Sequence, residues 1–215
     1  MANQKKNNIS DLNNHYINLA FELAKINLGS TKENPSVGCV VVKNDSVISS
    51  GFTSLNGRPH AEYNALSKRI SFKNASIYIS LEPCSHFGKT PPCTNIIIKS
   101  GIKRVFYSVD DIDLRSKNKS KKILNLKNII VKKNLLKIKA NEFYKSYYDY
   151  KKKDEPTIDG KIAISKDYFS ISKKKNNKWI TNLYSRKLTH LIRSKYNLIV
   201  STSKSINKDN SLLNC

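Results

Sequence analysis

The sequence predicts an α/β protein, a central sheet lying between layers of helix, with a shorter second α/β segment behind it. Two observations carry this expectation. From residue 76 onward, short apolar runs that read as strands alternate with stretches of helical periodicity, the pattern that clothes a sheet in helices. Near residue 151 the chain changes character: Lys151-Lys152-Lys153-Asp154-Glu155-Pro156 is charged, contains proline and is poor in apolar residues, which marks a linker. The expected organisation is a first domain over 1–150, a linker over 151–156 and a second segment over 157–215.

Residues 10–28 read as a helix. Ser10 and Asp11 offer N-cap oxygens, Leu12, Leu19, Leu23 and Ile26 fall on one face with Ala20 and Ala24, and Gly29 supplies a stop. Residues 37–43 form an apolar strand, Lys43-Asn44-Asp45-Ser46 is turn chemistry, and 47–53 returns as the second strand of a hairpin. Residues 60–70 suit a helix entered through Pro59. An alternating strand over 76–81 sets Ile77, Ile79 and Leu81 against Tyr78 and Ser80. An apolar helix over 94–100 ends at Gly101, and a strand follows over 104–109. A short helix over 120–127, a strand over 128–132 and a Lys- and Tyr-rich helix over 135–150 complete the first domain.

No run of 18 apolar residues occurs, so no membrane-spanning helix is expected, and the polar start Met-Ala-Asn-Gln-Lys-Lys-Asn-Asn lacks the apolar core of a signal peptide. A cytoplasmic protein is expected. In that compartment the four cysteines, Cys39, Cys84, Cys93 and Cys215, point to metal binding more than to disulfides. Cys39, inside an apolar run, reads as a small buried hydrophobe, and Cys215 carries no assigned role. The net charge of +23 raises nucleic-acid binding as a possibility. The lysines are instead spread along the chain among asparagines, so a solvated basic surface is the favoured reading, with no nucleic-acid partner. Such a field also draws a phosphorylated substrate.

The chemistry concentrates in residues 58–93. His60, Cys84 and Cys93 supply one imidazole and two thiolates, a set that holds zinc and leaves a fourth tetrahedral position for water. Glu62, two residues after the histidine, is not needed as a ligand and is free to move protons. Zinc lowers the pKa of a bound water from about 15.7 to about 7. An H-x-E followed by P-C and a second cysteine is the layout of zinc deaminases, and the expected fold, site and metal follow that class. His60 and Glu62 are expected on the first turn of the 60–70 helix and Cys93 at the start of the next, where helix N-termini favour thiolate. Glu82, in Leu81-Glu82-Pro83-Cys84, reads as a supporting or packing residue.

The resemblance narrows further. The cysteines are separated by eight residues, Ser-His-Phe-Gly-Lys-Thr-Pro-Pro, where nucleoside deaminases show C-x-x-C. With Asn34-Pro35-Ser36-Val37-Gly38 and Gly57-Arg58-Pro59-His60-Ala61-Glu62, this insert resembles the bifunctional riboflavin-biosynthesis deaminase/reductase family. The resemblance implies a cytidine-deaminase-like three-layer α/β/α sandwich. It also implies hydrolytic deamination of 2,5-diamino-6-(5-phosphoribosylamino)pyrimidin-4(3H)-one to 5-amino-6-(5-phosphoribosylamino)uracil and ammonia. It places Asn34 against the substrate base and His86 and Lys89 near the ribose phosphate. Read from the residues alone, Asn34 caps a turn and the other two are solvated on an exposed loop. Two departures stand out: Asp111-Ile112-Asp113-Leu114 with Asn118-Lys119-Ser120 replaces Asp-Pro-Asn-Pro and Gly-x-Gly, which implies a looser loop, and Thr53 replaces a histidine.

Beyond Pro156 the resemblance continues into the start of a dihydrofolate-reductase-like domain. It implies strands over 161–165 and 197–201, a helix over 186–196 and a loop over 209–212. Ala163 and Trp179 match vestigial cofactor positions and Arg193 a substrate position. With Tyr168 and Ser201 off the pattern and no glycine-rich dinucleotide loop, the reductase is expected to be truncated, NADPH to matter only if that domain works, and the chain to deaminate without reducing. Unpaired sheet edges there invite association, so a homo-oligomer is allowed. Two other readings compete. A tRNA- or nucleoside-editing deaminase shares the zinc set but calls for C-x-x-C. A non-catalytic zinc or nucleic-acid-binding module needs a fourth ligand, for which His86 is the nearby candidate, and leaves Glu62 without a task.

Overall fold

A computed structural model describes residues 2–153, 155–170, 179–210 and 213. Asp154 of the expected linker, Ser211 and Leu212 of the expected 209–212 loop, and Cys215 lie outside the described residues. The chain divides into two compact units, Met1–Thr157 and Ile158–Cys215. No helix among the described residues is long and apolar enough to cross a membrane.

The first unit is built on five strands: β1 (Gly38–Lys43), β2 (Ser46–Phe52), β3 (Ser76–Ile79), β4 (Arg104–Tyr107) and β5 (Ile130–Lys132). Their order is β2-β1-β3-β4-β5, with β1 antiparallel to both neighbours and β3, β4 and β5 mutually parallel. The helices are α1 (Ala2–Ala24), α2 (Ala61–Leu66), α3 (Cys93–Lys99), α4 (Ser120–Asn125), α5 (Lys137–Phe143) and α6 (Lys145–Lys153).

Two glycines show how the layers stack. Cys39 lies opposite Gly51 in the β1–β2 ladder, so they share a face, and Gly38, one residue along, looks to the other. A Cβ on Gly38 would lie 1.8 Å from the Ala20 carbonyl of α1, and one on Gly51 would lie 2.4 Å from the Ala61 carbonyl of α2. The two helices therefore press on opposite faces of the sheet, each close enough to exclude a methyl group. Gly51→Ala should cost about 1–3 kcal/mol or more, because backbone must move to admit the side chain. Urea unfolding of the variant against the wild type measures it.

The structure corrects several boundaries. α1 starts well before residue 10 and stops at Ala24, with turns rather than helix through 25–29. The helix expected over 60–70 is a single short stretch, α2, and β3 ends at Ile79 instead of Leu81. The alternation read in β3 hides burial on both sides: Tyr78 stacks on Phe106 at 4.5 Å and tilts against Tyr16 of α1 at 5.0 Å. The helix expected over 135–150 is broken at Tyr144 into α5 and α6. Tyr144 is fully enclosed, and its hydroxyl meets Ser80 Oγ at 2.6 Å and donates to the Ser36 carbonyl at 3.2 Å. A buried hydroxyl without partners would cost about 1–3 kcal/mol, so the break seats it between two. Finally, α6 runs through Lys153, which makes the first half of the expected linker the last turn of a helix.

The second unit contains α7 (Leu183–Arg193) and α8 (Ser203–Asp209). Asn182 caps α7 by accepting the Ser185 amide at 2.8 Å, and Thr202 caps α8 through the Ser205 amide at 3.2 Å. The expected helix over 186–196 is α7, starting three residues early, and α8 was not foreseen. The strands expected over 161–165 and 197–201 join no ladder among the described residues. Ile162, Leu198 and Val200 stand in solvent, and β-propensity is realised only where a neighbouring strand and a covering layer exist.

Candidate metal centre and active-site cleft

The parallel arrangement of β3 and β4 brings the loops after both strands to one end of the sheet, and the first residues of α2 and α3 meet them there. Cys84 lies in the loop after β3, Cys93 is the first residue of α3, and His60 is the N-cap of α2. His60 was expected inside the helix; its extended backbone (φ −70, ψ 160) places it one residue outside. Its Nδ1 lies 3.6 Å from Cys84 Sγ and 3.4 Å from Cys93 Sγ, and the three donor atoms fall within 4.8 Å of one another. A tetrahedral zinc with Zn–N of about 2.0 Å and Zn–S of about 2.3 Å sets nitrogen and sulfur about 3.5 Å apart, so the spacing fits that ion. His60 Nε2 is buried without a hydrogen-bond partner, leaving Nδ1 as the ring's polar contact.

Charge in the site is tuned by burial and proximity. The Cys93 thiol, hydrogen-bonded to Cys84, holds Cys84 down at about 4 against the opposing effect of burial, with further help from His60 and the Cys93 amide. Cys93 is pushed up by the same bond and by its own burial. The two thiols are thus pushed in opposite directions, Cys84 toward thiolate, the form that ligates a metal. Glu62, in the first turn of α2, is pushed up to about 6 by burial and by the neighbouring Cys84. A carboxyl so placed changes protonation near neutrality, which suits an acid–base group.

Asn34, Thr53, His60, Glu62, Cys84 and His86 line one cleft with Asp111, Asp113 and Tyr147. Asn34 Nδ2 donates to the Gly57 carbonyl at 3.3 Å, which fixes the side chain at the wall. Thr53 is buried, its Oγ1 accepting the Val37 amide at 2.9 Å. His86 Nδ1 meets Ser116 Oγ at 2.7 Å and is not part of the donor cluster. Lys89 is not brought to the cleft: it is exposed on the insert. Arg58, Arg115 and Lys151 are the cations that line it instead. Sequence reasoning missed these three. Arg58 sits inside the quoted Gly57–Glu62 motif, Arg115 in the loop that departs from the family pattern, and Lys151 in the stretch taken as linker. Lys151 follows Tyr147 by one helical turn, which puts both on one face of α6.

The departing loop is not loose. Glu82 is buried, and its Oε2 accepts the amides of Asp111 and Asn118, each at 3.0 Å. Oε1 accepts the Ser120 amide at 3.2 Å and its hydroxyl at 2.7 Å. Asn118 takes the left-handed conformation, φ 59, where the family pattern has glycine, and asparagine tolerates it. In the second unit, Ala163 and Arg193 are half-buried, and Trp179 carries the Arg186 guanidinium 5.0 Å over its ring.

Residues 10–109 match the profile of the cytidine and deoxycytidylate deaminase zinc-binding region, which defines the class of the fold and the site. The diaminohydroxyphosphoribosylamino-pyrimidine deaminase of Buchnera aphidicola from Acyrthosiphon pisum is 43% identical over 136 residues, 62% of this chain and 91% of that protein. The riboflavin biosynthesis protein RibD of Bacillus amyloliquefaciens is 37% identical over 202 residues, 94% of this chain and 54% of that one. Among solved structures, the Thermotoga maritima deaminase/reductase superposes with a TM-score of 0.81 at 33% identity, covering 94% of this chain and 58% of that one. Acinetobacter baumannii RibD gives 0.78 at 31%, covering 95% and 58%. The chain belongs to the RibD-type diaminohydroxyphosphoribosylaminopyrimidine deaminase family, and it spans about half the length of the RibD proteins it matches.

Proposed function

We propose that the protein hydrolyses the 2-amino group of 2,5-diamino-6-(5-phosphoribosylamino)pyrimidin-4(3H)-one, releasing ammonia and 5-amino-6-(5-phosphoribosylamino)uracil in riboflavin biosynthesis. One observation carries this reading. Three donors converge at tetrahedral spacing at a cleft, with the buried Glu62 beside them and no fourth His, Cys, Asp or Glu donor in the cluster among the described residues. A structural zinc module would need that fourth ligand.

His60, Cys84 and Cys93 would hold the metal. When bound, zinc supplies a Lewis acid and a water activated at neutral pH. Glu62, beside the donor cluster, is the group that would take up a proton from the attacking water and return it to the departing amine, so one carboxyl would serve as base and then as acid. The wall carrying Asn34 orients the ring, with Oδ1 left to accept from a substrate N–H while Nδ2 is occupied by Gly57. Glu33, Asp111 and Asp113 line the cleft beside Arg58, Arg115 and Lys151, and Arg115 is paired with Asp113, so Arg58 and Lys151 are the cations that would meet a phosphorylated ligand. This reading moves the phosphate contact away from Lys89. It concerns the first unit and assigns no step to the second.

Ammonia release settles the matter. The phosphoribosylamino diaminopyrimidine should be turned over and cytidine should not. A kcat/KM for cytidine, or for adenosine in tRNA, equal to that for the diaminopyrimidine would overturn the substrate assignment.

A further inference from the structure

We infer that Ser116 is a positioning residue that donates to His86 Nδ1, so that the ring carries its proton on Nε2 and offers that N–H to substrate. Ser116 is fully buried, its Oγ accepts the Ser85 amide at 3.2 Å, and it lies 2.7 Å from His86 Nδ1. No other acceptor for that proton is within hydrogen-bond reach among the described residues, and a buried hydroxyl proton left unpaired is costly. The hydroxyl therefore donates to Nδ1. A neutral imidazole has one donor and one acceptor nitrogen, so its own proton sits on Nε2.

Ser116 can do this because its loop is pinned. Its amide donates to the Asp113 carbonyl at 2.9 Å, and Glu82 grips the loop on both sides of it through Asp111, Asn118 and Ser120. The Ser116 carbonyl also accepts from Ser85 Oγ at 3.5 Å, so both residues that follow Cys84 are tied to this one serine. His86 lines the cleft, and Asp113, which lines it too, is engaged by Arg115. An Nε2–H donor there selects an oxygen acceptor on the substrate, while Arg58 and Lys151 supply the cations. The chemical class recognised is a hydroxyl, carbonyl or phosphate-ester oxygen.

The substrate side of this inference rests on the deaminase reading; the tautomer does not. Zinc-loaded protein labelled with 15N-histidine is observed by long-range 1H–15N correlation near pH 8, where imidazoles are neutral. His86, assigned with His86→Asn, should show a protonated Nε2 and a bare Nδ1. Ser116→Ala should shift His86 toward a mixture of tautomers. It should also raise KM about fivefold to tenfold, the weight of one hydrogen bond, with kcat and zinc content little changed. A wild-type spectrum with the proton on Nδ1 would overturn the inference even if the variant failed to fold. So would a Ser116→Ala variant with unaltered spectrum and KM. A wild type that turns over none of the substrates counts against the deaminase reading alone, and the spectra then decide the role of Ser116.

Discussion

Glu62→Gln is expected to keep its zinc and lose a factor of about 10²–10⁴ in kcat, the contribution of a well-placed acid–base group. Glutamine preserves the shape of a side chain that is almost fully enclosed, and Glu62 is not one of the three clustered donors, so the metal should stay. The amide cannot accept a proton and pass it on. The same change should act in the opposite direction on the stability of the metal-free protein. Burial raises the folded value of Glu62 from 4.5 to about 6. The folded chain therefore holds this proton more tightly than the unfolded chain, and its stability falls as pH rises through that window. The loss amounts to about 2 kcal/mol once the group is ionised. Glu62→Gln removes it. Urea unfolding of the two metal-free proteins at pH 4.5 and pH 7 should show the variant gaining on the wild type only at the higher pH. A variant within threefold of wild-type kcat would assign the proton transfer elsewhere.

Cys84→Ser should abolish metal retention and, with it, turnover. Elemental analysis after dialysis is expected to give about one zinc per chain for the wild type and almost none for the variant. A serine hydroxyl does not ionise near neutrality, whereas Cys84 is held as thiolate by the Cys93 thiol, the Cys93 amide and His60. Replacing it removes a charged ligand and leaves that amide with a weaker acceptor. Cys39→Ala is the control: Cys39 is fully buried in β1 and is not among the clustered donors, so metal content should not change. Full zinc occupancy in Cys84→Ser would break the ligand assignment.

The sequence by itself pointed to the candidate donor set and determined the class of protein. Metal ligation restricts residue type severely, and His60, Glu62, Cys84 and Cys93 are the right types at short separations, so their convergence could be read before any fold was known. The strands of the first unit were equally open to reading in position, because apolar β-branched runs such as Val40-Val41-Val42 leave few alternatives. Their burial was not. Tyr78 looks like the polar side of an alternating strand, and only the approach of α1 and Phe106 makes both faces core. The same holds for the break at Tyr144, which answers to Ser36 and Ser80 more than 60 residues away in the chain.

Tertiary structure alone decided the cleft. Arg58, Arg115 and Lys151 lie far apart in the chain and carry no mutual spacing that a sequence reading could detect. They meet because β3 and β4 run parallel, which carries the loops after both strands to one end of the sheet, where the entry to α2 and the last turn of α6 also arrive. Glu82 then fixes the second of those loops despite its departure from the family pattern, since a buried carboxylate can satisfy several backbone amides at once and needs no particular side chains from them. Ser116 gained its place by the same route: nothing in Arg115-Ser116-Lys117 announces a partner for His86, and the contact exists only once the loop has closed over the insert.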